Sequence, residues 1–196
     1  MNEEFLGGYT KPWLDSIKRN RMLVRRYNEI EPDRIWDKYQ ILKELLGQVD
    51  EKVIIEPPFF CDDGSNIFVG KQFYANYNFT VLDAGRVTIG DYVAVGPNVT
   101  ICAVSHPLHH KSRVKDGFPI IHKPVTIGNN VWIGAGAIIC MGVTIGDNAV
   151  IGAGSVVTRD IPPDVLAAGS PCRVVRPITD DDLYEWSEEE RIKYGF

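Results

Sequence analysis

The chain has 196 residues, 44% of them hydrophobic, and a net charge of -5. That length supports one domain with modest appendages and a core of its own. The acidic balance excludes a broad electrostatic footprint for nucleic acid or an anionic membrane, so any phosphate-bearing ligand has to be held by a local group of basic residues. No apolar run approaches a membrane span, and the opening MNEEFLGGYT is acidic and polar rather than a basic region followed by an apolar stretch. A cytoplasmic location is the expectation. The four cysteines, Cys61, Cys102, Cys140 and Cys172, form no C-x-x-C pair and no zinc spacing. They read as reduced, mostly buried small apolar residues.

In chain order, two helices come first. Leu14 to Tyr27 sets Leu14, Ile17, Met22 and Val24 among basic residues. Asp33 to Val49 carries Ile35, Tyr39, Leu42 and Leu46 at helical spacing, with Asp33 placed to cap. Residues 1–50 therefore read as a helical segment that covers one open end of the structure that follows.

A repeat then takes over. Ile127, Ile133, Ile139, Ile145, Ile151 and Val157 recur at a strict six-residue interval, with Gly128, Gly134, Cys140, Gly146 and Gly152 in the next slot. A second register, Val131, Ala137, Val143, Ala149 and Ser155, holds small or β-branched residues. Neither a helix nor one long strand has that period, whereas short strands joined by tight turns do. Three such units close a triangular coil, and the next coil stacks about 4.8 Å above it through parallel backbone hydrogen bonds. The small residue beside each aliphatic one permits the corner or a close approach of backbones. The pattern extends upstream from Ile89 and more loosely from Val69.

It breaks twice, by two extra residues between Val81 and Ile89 and by a long excursion between Ile101 and Ile127. A loop thrown out of a regular prism is often functional. Residues 51–178 thus form the solenoid, with an emergent loop at 103–124. IPPDVLAAGSPCRVVRPI reads as irregular and extended, and residues 179–196 as an acidic tail with a short helix that starts at a Thr179 cap.

From spacing alone His106, at the start of the excursion in SHPLHH, reads equally as a solvent-facing loop residue or as a base. The strings IEPPFFCDDGSNIFVG, FYANYNFTVLD, SHPLHH, KPVTIGNNVWIGAGAII and VTRDIPPDVLAAGSPCRVVRPI add to it. With them, the chain from about Phe5 to Ile178 resembles the galactoside and maltose O-acetyltransferases of the hexapeptide-repeat acyltransferase superfamily. The resemblance implies an all-β solenoid: a left-handed parallel β-helix of hexapeptide repeats with an N-terminal helical segment and a short C-terminal helix. The left hand belongs to the resemblance and not to the period. It also implies a homotrimer with active sites between subunits, acetyl-CoA as co-substrate, a sugar acceptor and no metal.

The same resemblance implies the site residues. His106 stands at the family's catalytic histidine, and imidazole suits removal of a hydroxyl proton near neutral pH. Asn76 matches the residue beside the acceptor hydroxyl. Asp62 and Asp83 match sugar-binding positions or near-positions, although for Asp83 the alignment slides by one residue and a simple turn aspartate is an equal reading. Trp132, outward between inward Val131 and Ile133, lines the substrate cleft or an interface. Ala135 offers a backbone N–H to the thioester oxyanion. Ala153 and Thr158 match pantetheine contacts. Arg159, Arg173 and Arg176 supply the basic group that CoA phosphates need, or else balance the acidic tail.

His109, His110 and His122 crowd one loop without a completing Asp, Glu or Cys, and read as packing or cleft-lining groups rather than zinc ligands. SHPLHH and DDGSN lean towards galactoside-type members. The alternatives are an acceptor such as an antibiotic or serine, a zinc-dependent carbonic anhydrase-like enzyme, and a non-catalytic scaffold.

Overall fold

The computed structural model describes residues 11–115 and 118–195. Residues 1–10 of the expected helical segment, the side chain of Leu14 and the tail's Phe196 lie outside them.

The six-residue period builds a three-sided parallel β-helix. Face A stacks Gln48–Val49, Ile67–Val69, Val87–Ile89, Val125–Ile127 and Thr144–Ile145. Face B stacks Ile54–Ile55, Tyr74–Ala75, Ala94–Val95, Trp132–Ile133, Val150–Ile151 and Val165–Ala168. Face C stacks Phe59–Cys61, Phe79–Leu82, Thr100–Cys102, Ile138–Ile139 and Val156–Val157. Ile127, Ile133, Ile139, Ile145, Ile151 and Val157 all point inward and are fully buried, as is the second register from Val131 to Ser155.

On face B the column Ile55, Ala75, Val95, Ile133, Ile151, Ala167 steps by 20, 20, 38, 18 and 16 residues. Three hexads make the step of 18; the steps of 20 carry two extra residues at the C-to-A corner. The 38-residue step carries the excursion, which leaves the prism at that same corner. Its ends pair antiparallel, Val104 with His122 and Ser105 with Ile121, so it opens as a hairpin with the short helix α3 (His110–Arg113) at its tip.

Helix α1 (Lys11–Glu29) and helix α2 (Ile35–Leu45) close the first coil. The stripe that α1 buries is Asn20, Leu23 and Tyr27, whereas Met22 is exposed on the solvent side. Tyr27 donates its hydroxyl to the Ile55 carbonyl, and Asn28 exchanges two bonds with the Phe59 backbone, fixing α1 across the coil's open end. In α2 the buried residues are Ile41, Leu42 and Leu45, followed by Leu46, and Ile35 is exposed. Arg34 rather than Asp33 precedes the first turn, and Arg34 pairs with Asp37 of that turn.

Beyond the fifth coil the chain is not irregular. Val165–Ala168 continues face B, and Arg173–Pro177 folds back antiparallel on it as an edge strand. The backbone groups that face Val165–Ala168 are thereby paired in the sheet, which the Gly and Pro content of the segment had obscured. Thr179 starts only a single 3-10 turn, Asp180–Asp182; the tail's α-helix, α4 (Glu188–Tyr194), begins later at a Ser187 cap. Cys172 is buried, but Cys61, Cys102 and Cys140 are only half-buried, at or just beyond the ends of face-C strands; all four are free.

Candidate active site

Each coil turns three corners, and the stacked corners make three edges of the prism. The B-to-C edge runs through Asn76, Gly96, Gly134, Gly152 and Ala168, the residues that follow the paired face-B column. The C-to-A edge holds the widened corners near Asp62 and Asp83, the root of the His106 hairpin, and Thr158 with Arg159. Apart from Trp132, Arg173 and Arg176, the predicted residues thus divide between two edges that flank face C, and one chain's prism does not place Asn76 and His106 on the same edge.

His106 is exposed, and its Nδ1 lies 3.0 Å from the Pro119 carbonyl oxygen across the hairpin. A carbonyl can only accept, so Nδ1 carries the hydrogen in the neutral ring and Nε2 keeps its lone pair. The hairpin therefore sets the tautomer a general base needs. His109 is occupied otherwise: its Nδ1 accepts the Lys111 N–H to cap α3, and its ring stacks on His110. His122 is exposed beside the base of the hairpin. Among the described residues no group of three His, Cys, Asp or Glu side chains is disposed to hold a metal ion.

Asn76 is half-buried, and its Oδ1 accepts the Tyr77 N–H at 2.7 Å. One lone pair of that oxygen is committed to the turn, and the Nδ2 amide is left to donate, so Asn76 can present a donor to an acceptor oxygen. Higher on the same edge, Ala135 and Ala153 are exposed, and neither backbone N–H meets a backbone acceptor among the described residues. Glycines keep these donors open. A Cβ on Gly96 would sit 2.7 Å from the Ala135 nitrogen, and one on Gly134 would sit 2.6 Å from the Ala153 nitrogen. Trp132 stands outward on face B, 57% exposed.

The two aspartates part company. Asp62 is exposed, and no hydrogen bond holds its carboxylate among the described residues; partial burial and Asp83 push its pKa up, against Arg21. Asp83 is fully buried, and its carboxylate accepts the N–H groups of Asp62, Asp63 and Gly64 at 3.1, 3.0 and 2.7 Å. Burial is the largest influence on it and raises its pKa. Asp83 is therefore a structural carboxylate that holds the preceding corner in shape, and the sugar-facing expectation for it is corrected: a group with no exposed surface and three backbone donors cannot take a hydroxyl.

The basic residues share the C-terminal end of the prism without forming one cluster. Arg159 is exposed beside Thr158 on the C-to-A edge, whereas Arg173 and Arg176 lie on the edge strand of face B. Arg173 donates to the Cys172 carbonyl, and Arg176 is paired with Asp182.

A family model described as the hexapeptide repeat of succinyl-transferase matches residues 124–159. The galactoside O-acetyltransferase of Escherichia coli (strain K12) is 47% identical over 175 residues, covering 89% of this chain and 85% of that protein. The chain belongs to the galactoside and maltose O-acetyltransferase group of hexapeptide-repeat proteins. A galactoside acetyltransferase solved in complex with coenzyme A superposes with a TM-score of 0.86 at 46% identity, covering 92% of this chain and 90% of that one. A maltose O-acetyltransferase from Clostridium difficile 630 gives 0.84 at 42%, covering 87% and 90%. The hexapeptide repeat and these likenesses make the coil left-handed.

Sequence reasoning missed three contributors: Pro119, which orients His106; Gly96, which uncovers the Ala135 N–H; and the partner of Arg176. Only Gly96 had a signal, the small slot of the hexad, because the other two depend on how the hairpin and the tail fold back.

Proposed function

We propose that the chain transfers acetyl from acetyl-CoA directly to a sugar hydroxyl, the 6-hydroxyl of a galactoside or glucosyl sugar. The observation that carries the chemistry is the His106 to Pro119 contact, which leaves Nε2 free as a base on an exposed loop. Nε2 takes the hydroxyl proton as the oxygen attacks the thioester carbonyl. The tetrahedral oxyanion accepts from the Ala135 N–H, with the Asn76 amide donating to the incoming oxygen. Collapse breaks the carbon–sulfur bond, and the CoA sulfur leaves with the proton from His106.

No acyl-enzyme is needed. Burial pushes the thiols of Cys61, Cys102 and Cys172 upward, away from the thiolate form a nucleophile requires. Asp62 accepts sugar hydroxyls and Trp132 lines the cleft. Ala153, Thr158, Arg159, Arg173 and Arg176 hold the pantetheine and phosphates of CoA.

The reading includes a homotrimer. The division of His106 and Asn76 between two edges favours a site completed across a cleft, one chain giving its B-to-C edge and its neighbour the hairpin. Face B also presents Ile54, Tyr74 and Trp132 outward, an apolar row suited to a subunit contact. No described helix is long and apolar enough to cross a membrane, and free cysteines together with an acetyl-CoA requirement suit the cytoplasm.

The test is release of CoA thiol from acetyl-CoA with galactosides, glucose and maltose, together with product mapping. A folded His106→Ala variant that released thiol as fast as the parent chain would overturn the mechanism, and product acetylated elsewhere would overturn the position. A monomer in light scattering would overturn the shared site.

A further inference from the structure

Arg176 is held unlike the other two arginines at the C-terminal end. Its Nη1 donates to Asp182 Oδ2 at 2.7 Å and its Nη2 to Oδ1 at 2.6 Å, a bidentate grip on the end of the guanidinium. Nη1 also donates to the Pro177 carbonyl at 3.1 Å. Asp182 is itself fixed, because Oδ2 accepts the Thr179 N–H at 3.0 Å and closes the 3-10 turn Asp180–Asp182. Arg176 holds the Asp182 pKa down, to about 2, so the pair stays ionised at working pH.

Of the five guanidinium N–H groups these contacts use three. The two left, on Nε and on Nη2, lie side by side along one edge of the plane and meet no acceptor among the described residues. Two parallel N–H groups on a rigid edge match two oxygens of a phosphate. The Arg176 side chain is 49% exposed, so a ligand can approach it from solvent. A free arginine would have to lose rotamer freedom on gripping a phosphate, and Asp182 has already imposed that loss.

We propose that Asp182 is a positioning residue for the acetyl donor: by clamping the end of the Arg176 guanidinium, it presents the remaining edge to a phosphate of CoA. This rests on the reading of Arg176 as a CoA phosphate contact. The opposite role, a carboxylate that competes with phosphate for the arginine, predicts the opposite sign on removal.

The experiment compares acetyl-CoA with S-acetylpantetheine, which carries the thioester without any phosphate, on the full chain and on Asp182→Ala and Arg176→Ala. Asp182→Ala is expected to raise KM for acetyl-CoA roughly threefold to tenfold, with kcat held and KM for S-acetylpantetheine unmoved. Arg176→Ala is expected to raise KM for acetyl-CoA further, again without effect on the phosphate-free donor. A lower KM in Asp182→Ala would establish competition and overturn the proposal. Equal changes for both donors would reduce Asp182 to a structural role and overturn it as well. If Arg176→Ala alone shifted KM, positioning would fail while the phosphate reading stood. If Arg176→Ala left the two donors in their original ratio, the phosphate reading itself would fall.

Discussion

Two edges of the prism make the same turn with different residues. On the A-to-B edge the left-handed position is filled by Lys52, Gln72, Tyr92, Asn130, Asn148 and Asp164, with φ between 53° and 60°. Their side chains and those of their neighbours bond from coil to coil: Asn130 to Asn148, Asn148 to Asp164, and Asn129 to Asp147. On the B-to-C edge the same position is Asn78 and Asn98, which bond to each other, and then Gly136 and Gly154. A Cβ at either glycine would meet nothing within 4 Å. Crowding therefore does not explain those glycines. The left-handed turn accepts them, and their missing side chains leave the strip beside Ala135 and Ala153 open. One edge spends its side chains on stacking, and the other leaves them out along the strip proposed to receive acetyl-CoA.

Variants can break that contrast, and the largest effect is expected on the working side. His106→Ala should lower kcat by about a hundredfold to ten-thousandfold, with an unchanged melting temperature, because it removes an exposed base. Gly96→Ala should follow, at about a hundredfold in kcat, since its Cβ presses on the nitrogen of the proposed oxyanion donor. Steady-state kinetics against thermal melting separates this from unfolding. Gly136→Asn converts one edge into the other: the turn admits Asn and Asn98 stands one coil away, so stability should hold while KM for acetyl-CoA rises roughly tenfold.

Asn148→Ala tests the structural edge. It removes two side-chain bonds and leaves alanine in a left-handed conformation, so chemical denaturation should show a loss of about 1–2 kcal/mol, with kcat unchanged. The sharpest check on a single residue is Asp83→Ala, which leaves the N–H groups of Asp63 and buried Gly64 without an acceptor while that of Asp62 keeps the Val81 carbonyl. It should cost about 3 kcal/mol of stability, and any loss of activity should track unfolding rather than acceptor concentration.

The solenoid was readable because its period is a local property: the inward row from Ile127 to Val157 states the fold without reference to distant residues. The hairpin strand at Arg173–Pro177 was not readable, since its pairing is antiparallel and falls outside the hexad count. Asp83 shows the limit for the site. Its neighbours in sequence put it near a sugar-binding position, but only the stacking of one corner on the previous one reveals that its oxygens face backbone. Asn76 and His106 could be named from the strings they sit in. Which hydrogen-bonding groups of each are already engaged could not, because that depends on Tyr77 and Pro119.

The hairpin that carries His106 leaves no mark on the ladder it interrupts. Val87, Thr88 and Ile89 pair in register with Val125, Thr126 and Ile127 across it, as if the intervening residues were absent. The coils above and below already align its two ends, so the chain entropy of closing it grows only with the logarithm of its length, about 0.6 kcal/mol per doubling. This corner can therefore exchange one excursion for a longer or shorter one while the scaffold keeps its stability. The reach of the proposed base towards its acceptor is thus the dimension of this enzyme most open to change.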